Sequence, residues 1–210
     1  MILTDRVAQV FKDPFLHYCA DGLVTEESLK RLNSDLPERS IFTREVKEEA
    51  GRRKQYRMWR CEVGHNNMRT VQADRLPSAW SELVDSALSE EFRTWLSRTT
   101  GAVLDGLPAT VGLYIFGDND YSTIDTGKLE KALSVGLFVN NDWNPAYGGA
   151  WQAFSQKYPV ASPAHTIYPF GGRCITYVPT RSSWHRVQQV TTSGKSERLV
   201  LMVEIWRVER

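Results

Sequence analysis

The stretch Leu133-Ser134-Val135-Gly136-Leu137-Phe138-Val139-Asn140-Asn141-Asp142-Trp143-Asn144-Pro145-Ala146-Tyr147-Gly148-Gly149 decides how this chain is read. Its opening is an apolar run of strand length. Asn, Asp and Pro then break the run, and Gly148-Gly149 permits a tight turn into another strand, where side chains would block backbone approach. Further on comes Pro179-Thr180-Arg181-Ser182-Ser183-Trp184-His185-Arg186-Val187, a Ser-rich turn leading into a strand that carries a histidine. After a gap that suits a turn and a return strand, Arg198-Leu199-Val200-Leu201 begins the last apolar run.

Outward from these segments, the residues after Gly106 divide into strand-like runs at 110–116, 132–140, 149–154, 173–178, 184–190 and 197–208. The residues before it show helical periodicity. Thr25 is placed to cap a helix with Glu26 and Glu27 in its first turn and Leu29, Leu32 and Leu36 on one face; Pro37 should end it. A second helix opens near Pro77-Ser78, with Trp80, Leu83, Val84, Ala87 and Leu88 at helical spacing. Ser89 caps a third, with Phe92, Trp95 and Leu96 as its buried stripe and Gly101 to close it. Helices followed by short, closely spaced strands argue for helices packed outside an antiparallel barrel or jelly roll. The expectation is a mainly β single domain over 1–210, mainly helical at 1–105 and a jelly-roll core at 106–210.

The 210 residues suffice for one buried core. A formal net charge of +1 provides no long-range pull toward nucleic acid or an anionic membrane, so neither is expected as a partner. No apolar run approaches the ~20 residues a membrane span needs. The three cysteines, Cys19, Cys61 and Cys174, are far apart and odd in number, and read as reduced thiols of a cytoplasmic protein. Residues 43–60 are dense in both charge signs. They read as a solvated hairpin or loop, or else as a lid that brings basic side chains over an anionic substrate.

The order of the quoted segments resembles the prolyl-hydroxylase-like branch of the iron(II)/2-oxoglutarate oxygenase superfamily. Members carry Y-L-N-x-x-W-x-x-x-x-G-G, then S-W-H-x-V, then an Arg opening a late strand. Here these fall on Asn140, Trp143 and Gly148-Gly149, on Ser183-Trp184-His185-Arg186-Val187, and on Arg198. Asp13-Pro14-Phe15 and the helices at 76–101 are similar to that branch too, so the resemblance covers nearly the whole chain. It implies a double-stranded β-helix packed against outer helices, with Fe(II) and 2-oxoglutarate as cofactors. The reaction implied is hydroxylation or another oxidation of a small molecule or a protein side chain. His185 would be a metal ligand at the barrel mouth, a role that suits imidazole. Arg198 would pair with the distal carboxylate of 2-oxoglutarate, since guanidinium offers a bidentate fork and stays charged when buried. Tyr114 would add a hydroxyl to the same carboxylate.

The pattern breaks at one place. Iron oxygenases of this type hold the metal with a His-x-Asp pair ahead of a Lys-x-Leu-Ser strand and a second His later, a facial triad with open positions. Counting back from Lys131-Ala132-Leu133-Ser134, with Gly117 matching the glycine that precedes the motif, the pair falls on Asp125-Thr126-Gly127. Asp125 and His185 are therefore the catalytic and metal-ligand candidates, and Gly127 supplies nothing. Three readings stay open. Iron is held by these two, with water or substrate filling the gap. Alternatively, Asp118 or Asp120 supplies a ligand, although both also suit a turn. In the third, the fold is a catalytically silent, metal-free module that binds a ligand or a partner. Halogenases of the superfamily also replace the carboxylate with a small residue, but they keep both histidines.

Outside the pattern the residues read simply. His17, His65 and His165 are expected on the surface or in loops. Trp143, Trp151, Trp184 and Tyr147 are either pocket wall or ordinary barrel filling.

Overall fold

Period-2 patterning builds the core of this molecule. A computed structural model describes residues 1–49, 54–158 and 162–208. Its first half contains β1 (Gln9–Phe11), β2 (His17–Ala20), α1 (Glu26–Ser34), β3 (Thr43–Lys47), β4 (Tyr56–His65), β5 (Met68–Arg69), α2 (Ser78–Leu88) and α3 (Glu90–Thr100). Then follow β6 (Ala109–Phe116), β7 (Tyr121–Asp125), β8 (Lys131–Phe138), β9 (Trp151–Ala153), β10 (His165–Ile167), β11 (Cys174–Tyr177), β12 (His185–Val187) and β13 (Arg198–Trp206). The strands form one curled antiparallel sheet in the order β1-β2-β11-β8-β13-β6-β4-β7-β12-β9-β10, with β3 and β5 paired to β4. This is the expected jelly roll with helices outside.

Along β8, β13 and β6, alternate side chains serve two different interiors. Leu133, Val135, Leu137, Leu113, Leu199, Leu201 and Val203 face the helices. The intervening residues, Phe116, Phe138, Arg198, Val200 and Met202 among them, face the hollow of the curled sheet. Register keeps the two sets apart: Leu201 stands opposite Leu113 on one side and Leu137 on the other. A slip of one residue would exchange the faces and bury Arg198 among the helices.

The helices form where local signals place them. Thr25 Oγ1 accepts from the Ser28 N–H at 3.2 Å, and Ser89 Oγ from the Phe92 N–H at 3.2 Å. Gly101 closes α3 with φ 72°. Leu29 and Leu32 are buried, but Leu36 is half exposed, contrary to its expected place on the helix face. The helix stops at Ser34, because the residues ahead of Pro37 are biased toward extended backbone.

Before residue 106 the sequence suggested β structure only as a surface hairpin at 43–60; the structure also has β1, β2 and β5 there, and β4 belongs to the main sheet. β3 and β4 form a hairpin from the charged segment, and β4 goes on to pair with β6 and β7 inside the main sheet. The charges hide the strand pattern because they satisfy one another: Arg57 pairs with Glu48, Arg60 with Glu45 at 3.7 Å, and Arg44 with the buried Asp120 at 2.6 Å. Arg52 and Arg53 lie outside the described residues. Among the described residues no helix is long and apolar enough to cross a membrane.

Candidate functional site

The hollow of the sheet holds a cavity of about 170 Å³. Met58, Phe138, Trp151, Ile175 and Val200 supply apolar wall, and the polar groups are few: Lys54, Tyr114, Tyr177, His185, Arg198 and Glu204 chief among them. A wide groove runs outside it and shares Lys54, Met58, Tyr114 and Glu204 with the cavity. Glu204 is ion-paired to Lys131.

Arg198 opens β13 opposite Phe116. Its guanidinium lies between two rings, 4.8 Å from the centroid of Phe116 and 4.9 Å from that of Phe138. The residue is 3% exposed, its Nε has no hydrogen-bond partner, and among the described residues no acid pairs with it. Burial alone lowers its pKa to about 9.

The residues of the Asn-Trp-Gly-Gly segment build the seat for this arginine. Asn140, buried, donates from Nδ2 to the Glu197 carbonyl at 2.6 Å and accepts from the Leu199 N–H at 3.1 Å. Trp143 Nε1 donates to the Gly148 carbonyl at 3.1 Å. A Cβ on Gly149 would stand 2.9 Å from the Trp143 ring and 3.3 Å from Arg198 Cδ, at φ +68°. Only glycine fits there.

Asp125 ends β7, His185 opens β12, and the two are direct cross-strand partners. His185 lines the cavity with Arg198, whereas Asp125 lines the groove. His185 Nδ1 lies 2.8 Å from the Ser183 carbonyl, so it carries the proton, and Nε2 accepts from the Tyr177 hydroxyl at 2.9 Å. Burial, with the nearby Lys54 ammonium adding to it, lowers the His185 pKa to about 4, so the ring is neutral at pH 7. Its face stacks on Trp151, with centroids 5.7 Å apart. Asp125 Oδ1 accepts the Gly127 N–H at 2.6 Å and has the Lys54 Nζ 4.0 Å away. Burial pulls the Lys54 ammonium below its usual range, and the Asp125 carboxylate opposes that shift.

These residues do not fit a facial triad. The one lone pair of His185 free to bind metal is taken by Tyr177, Asp125 is folded into an Asx turn, and Gly127 has no side chain. Among the described residues no group of three or more His, Cys, Asp or Glu side chains is arranged to hold a metal. Asp120 is committed to Arg44 and to the Gly117 N–H, and Asp118 accepts from the Ser193 N–H; neither lines the cavity.

Of the other candidates, Tyr114 on β6 does line the cavity, and burial raises its pKa. Trp151 is cavity wall. Trp143 and Tyr147 pack edge to face at 5.8 Å, away from the cavity lining. Two expectations for histidine are overturned. His17 is fully buried, stacked on Phe11 at 4.9 Å, and its Nε2 lies 3.1 Å from Nδ1 of the half-buried His165. The cause is β2, unread in the sequence, which turns His17 toward Phe15 and Trp151. His65 is exposed, as expected. Sequence reasoning missed Tyr177 and raised Lys54 only as one of the basic side chains of the alternative lid at 43–60. Tyr177 sits in a run already read as a strand, and an inward-facing tyrosine there was the available signal.

No family model and no curated protein matches the sequence. Solved structures do match the fold. A prolyl-4-hydroxylase of Pseudomonas putida superposes with a TM-score of 0.63 at 14% identity, over 92% of this chain and 93% of that one. A 2OG-Fe(II) oxygenase-family oxidoreductase of Burkholderia pseudomallei gives 0.59 at 13% identity, over 92% and 86%. HygX of Streptomyces hygroscopicus, solved with nickel and 2-oxoglutarate bound, gives 0.56 at 9% identity, over 91% and 83%. The chain therefore has the jelly-roll fold of the prolyl-hydroxylase-like 2-oxoglutarate/iron(II) oxygenases.

Proposed function

We propose that this chain binds a small dicarboxylic acid of the 2-oxoglutarate class in its cavity, anchored by Arg198, without a facial triad of its own. The observation that carries this reading is a buried guanidinium with no acidic partner among the described residues. Desolvating an unpaired cation costs several kcal/mol. The two phenyl rings recover part of that but offer no hydrogen-bond acceptor. A carboxylate entering the cavity would take the fork in two parallel bonds. HygX, with 2-oxoglutarate bound, shares the fold and supports the choice of acid.

Calorimetry of 2-oxoglutarate on protein stripped with a chelator tests the proposal. Saturable binding is expected, lost in Arg198→Met while the melting transition is kept. A wild type that takes up no acid under any condition defeats it.

The cross-strand pairing of Asp125 with His185 favours a second reading, an iron oxygenase with an altered site. Its substrate, a small molecule or a protein side chain, would lie in the groove. Tight anaerobic Fe(II) binding, abolished by His185→Ala, would establish that reading over the first.

A further inference from the structure

Among the described residues the cavity carries two positive groups, and only one has been assigned a role. Arg198 lines the cavity alone, whereas Lys54 lines both cavity and groove and so stands at their junction. There it neighbours the two residues that occupy the metal-ligand positions of the motif. Its Nζ is 4.0 Å from Asp125 Oδ1, longer than a hydrogen bond, and its charge acts on the His185 ring. The third charged group of the lining, Glu204, is already neutralised by Lys131.

From this placement we infer that the Lys54 ammonium is the resident cation of the site: it replaces the metal and, with Arg198, makes the cavity a metal-independent receptor for a dianionic acid. The inference rests on the acid-binding reading above and adds the group that receives the second carboxylate.

The charge balance explains why one cation is not enough. A dicarboxylate brings two negative charges into an apolar hollow, and Arg198 answers one of them. The other must meet a cation or remain solvated, because a buried carboxylate without a partner is strongly disfavoured. In a metal-dependent site a divalent ion would meet it. Here Tyr177 takes the His185 lone pair and Gly127 supplies no ligand, so among the described residues no cluster of His, Cys, Asp or Glu holds such an ion. Lys54 carries a positive charge to the same neighbourhood on its own tether. Asp125 keeps that ammonium in place without fully neutralising it, since the pair is not in direct hydrogen-bond contact. Arg198, by contrast, has no acidic partner among the described residues.

The test is calorimetry of 2-oxoglutarate on chelator-treated protein, comparing wild type with Lys54→Met, Lys54→Arg and Arg198→Met, and comparing 2-oxoglutarate with a one-carboxylate oxo acid, 2-oxopentanoate. Wild-type affinity should be the same with and without chelator. Lys54→Met should weaken 2-oxoglutarate binding at least about tenfold, and Lys54→Arg should restore most of it. The one-carboxylate acid should bind more weakly than 2-oxoglutarate and respond to only one of the two cation removals. Unchanged affinity in Lys54→Met would overturn the inference and leave Arg198 as the anchor. Wild-type binding that vanishes with chelator would overturn it too, because a metal would then be supplying the second charge. Failure of the acid-binding reading itself looks different: no acid binds to any form, with or without metal.

Discussion

Asn140 holds the backbone on both sides of Arg198, with its amide bonded to the Glu197 carbonyl at 2.6 Å and to the Leu199 N–H at 3.1 Å. The asparagine that opens the loop after β8 thus sets the start of β13, the point from which the guanidinium enters the cavity. Trp143 and Gly149 close the same seat from the other side.

Asn140→Ala should therefore lose ~1–3 kcal/mol of stability, since two buried backbone groups lose their partner. It should also weaken acid binding although Asn140 does not line the cavity. Denaturant melts and calorimetry on one preparation check both effects. An unchanged affinity would show that Arg198 is positioned without it.

Gly149→Ala and Gly194→Ala make a matched pair. Both glycines have positive φ, but nothing stands within 4 Å of a Cβ at Gly194. Gly194→Ala should cost only the backbone strain, ~1–2 kcal/mol. Gly149→Ala adds the clash with Trp143 and Arg198 and should total ~2–5 kcal/mol. Equal losses in denaturant titrations would mean the seat around Arg198 is looser than described.

Asp125→His with Gly127→Asp supplies the two side chains that the family pattern has at these positions. Asp is among the residues that tolerate the left-handed backbone at Gly127, φ +77°. The double variant should gain Co(II) binding, visible as a ligand-field absorbance. Adding Tyr177→Phe should strengthen it by freeing His185 Nε2. No absorbance in either variant would mean the motif has been placed in the wrong register.

His17 links stability to pH. Burial lowers its pKa in the folded state, and the neighbouring His165 ring adds to the shift. Below the unfolded value of about 6.5 the unfolded chain takes up more protons than the folded one. Its stabilising contribution is full above that pH and is lost as the pH falls toward the lower folded value. Phe11, Phe15 and Trp151 pack against the ring, and the hydrogen bond of Nδ1 to the Phe15 carbonyl opposes the shift without reversing it. Melts from pH 7.5 down to 5 should fall more steeply for wild type than for His17→Gln. Parallel curves would count against a buried neutral His17.

The amino-acid sequence alone determined the helices and the architecture. Thr25, Ser89 and Gly101 act within one helical turn, so their signals survive without tertiary context. The Asn-Trp-Gly-Gly segment was legible for a related reason, since a glycine whose Cβ would strike its neighbours tolerates no substitute, and Ser-Trp-His was legible through its resemblance to the family pattern. β1, β2 and β5 were not legible, and β3 and β4 were legible only as a surface hairpin, because the pattern of β4 is hidden by charges paired with β3 and its turn. Only the tertiary structure decided what His185 and Asp125 touch. A nitrogen lone pair accepts one partner, and strand register gave that of His185 to Tyr177. Register also brought Lys54, from a segment read as a surface hairpin or a basic lid, to the junction beside Asp125. Such choices are made by distances of a few ångströms between residues far apart in the chain, and no local pattern records them.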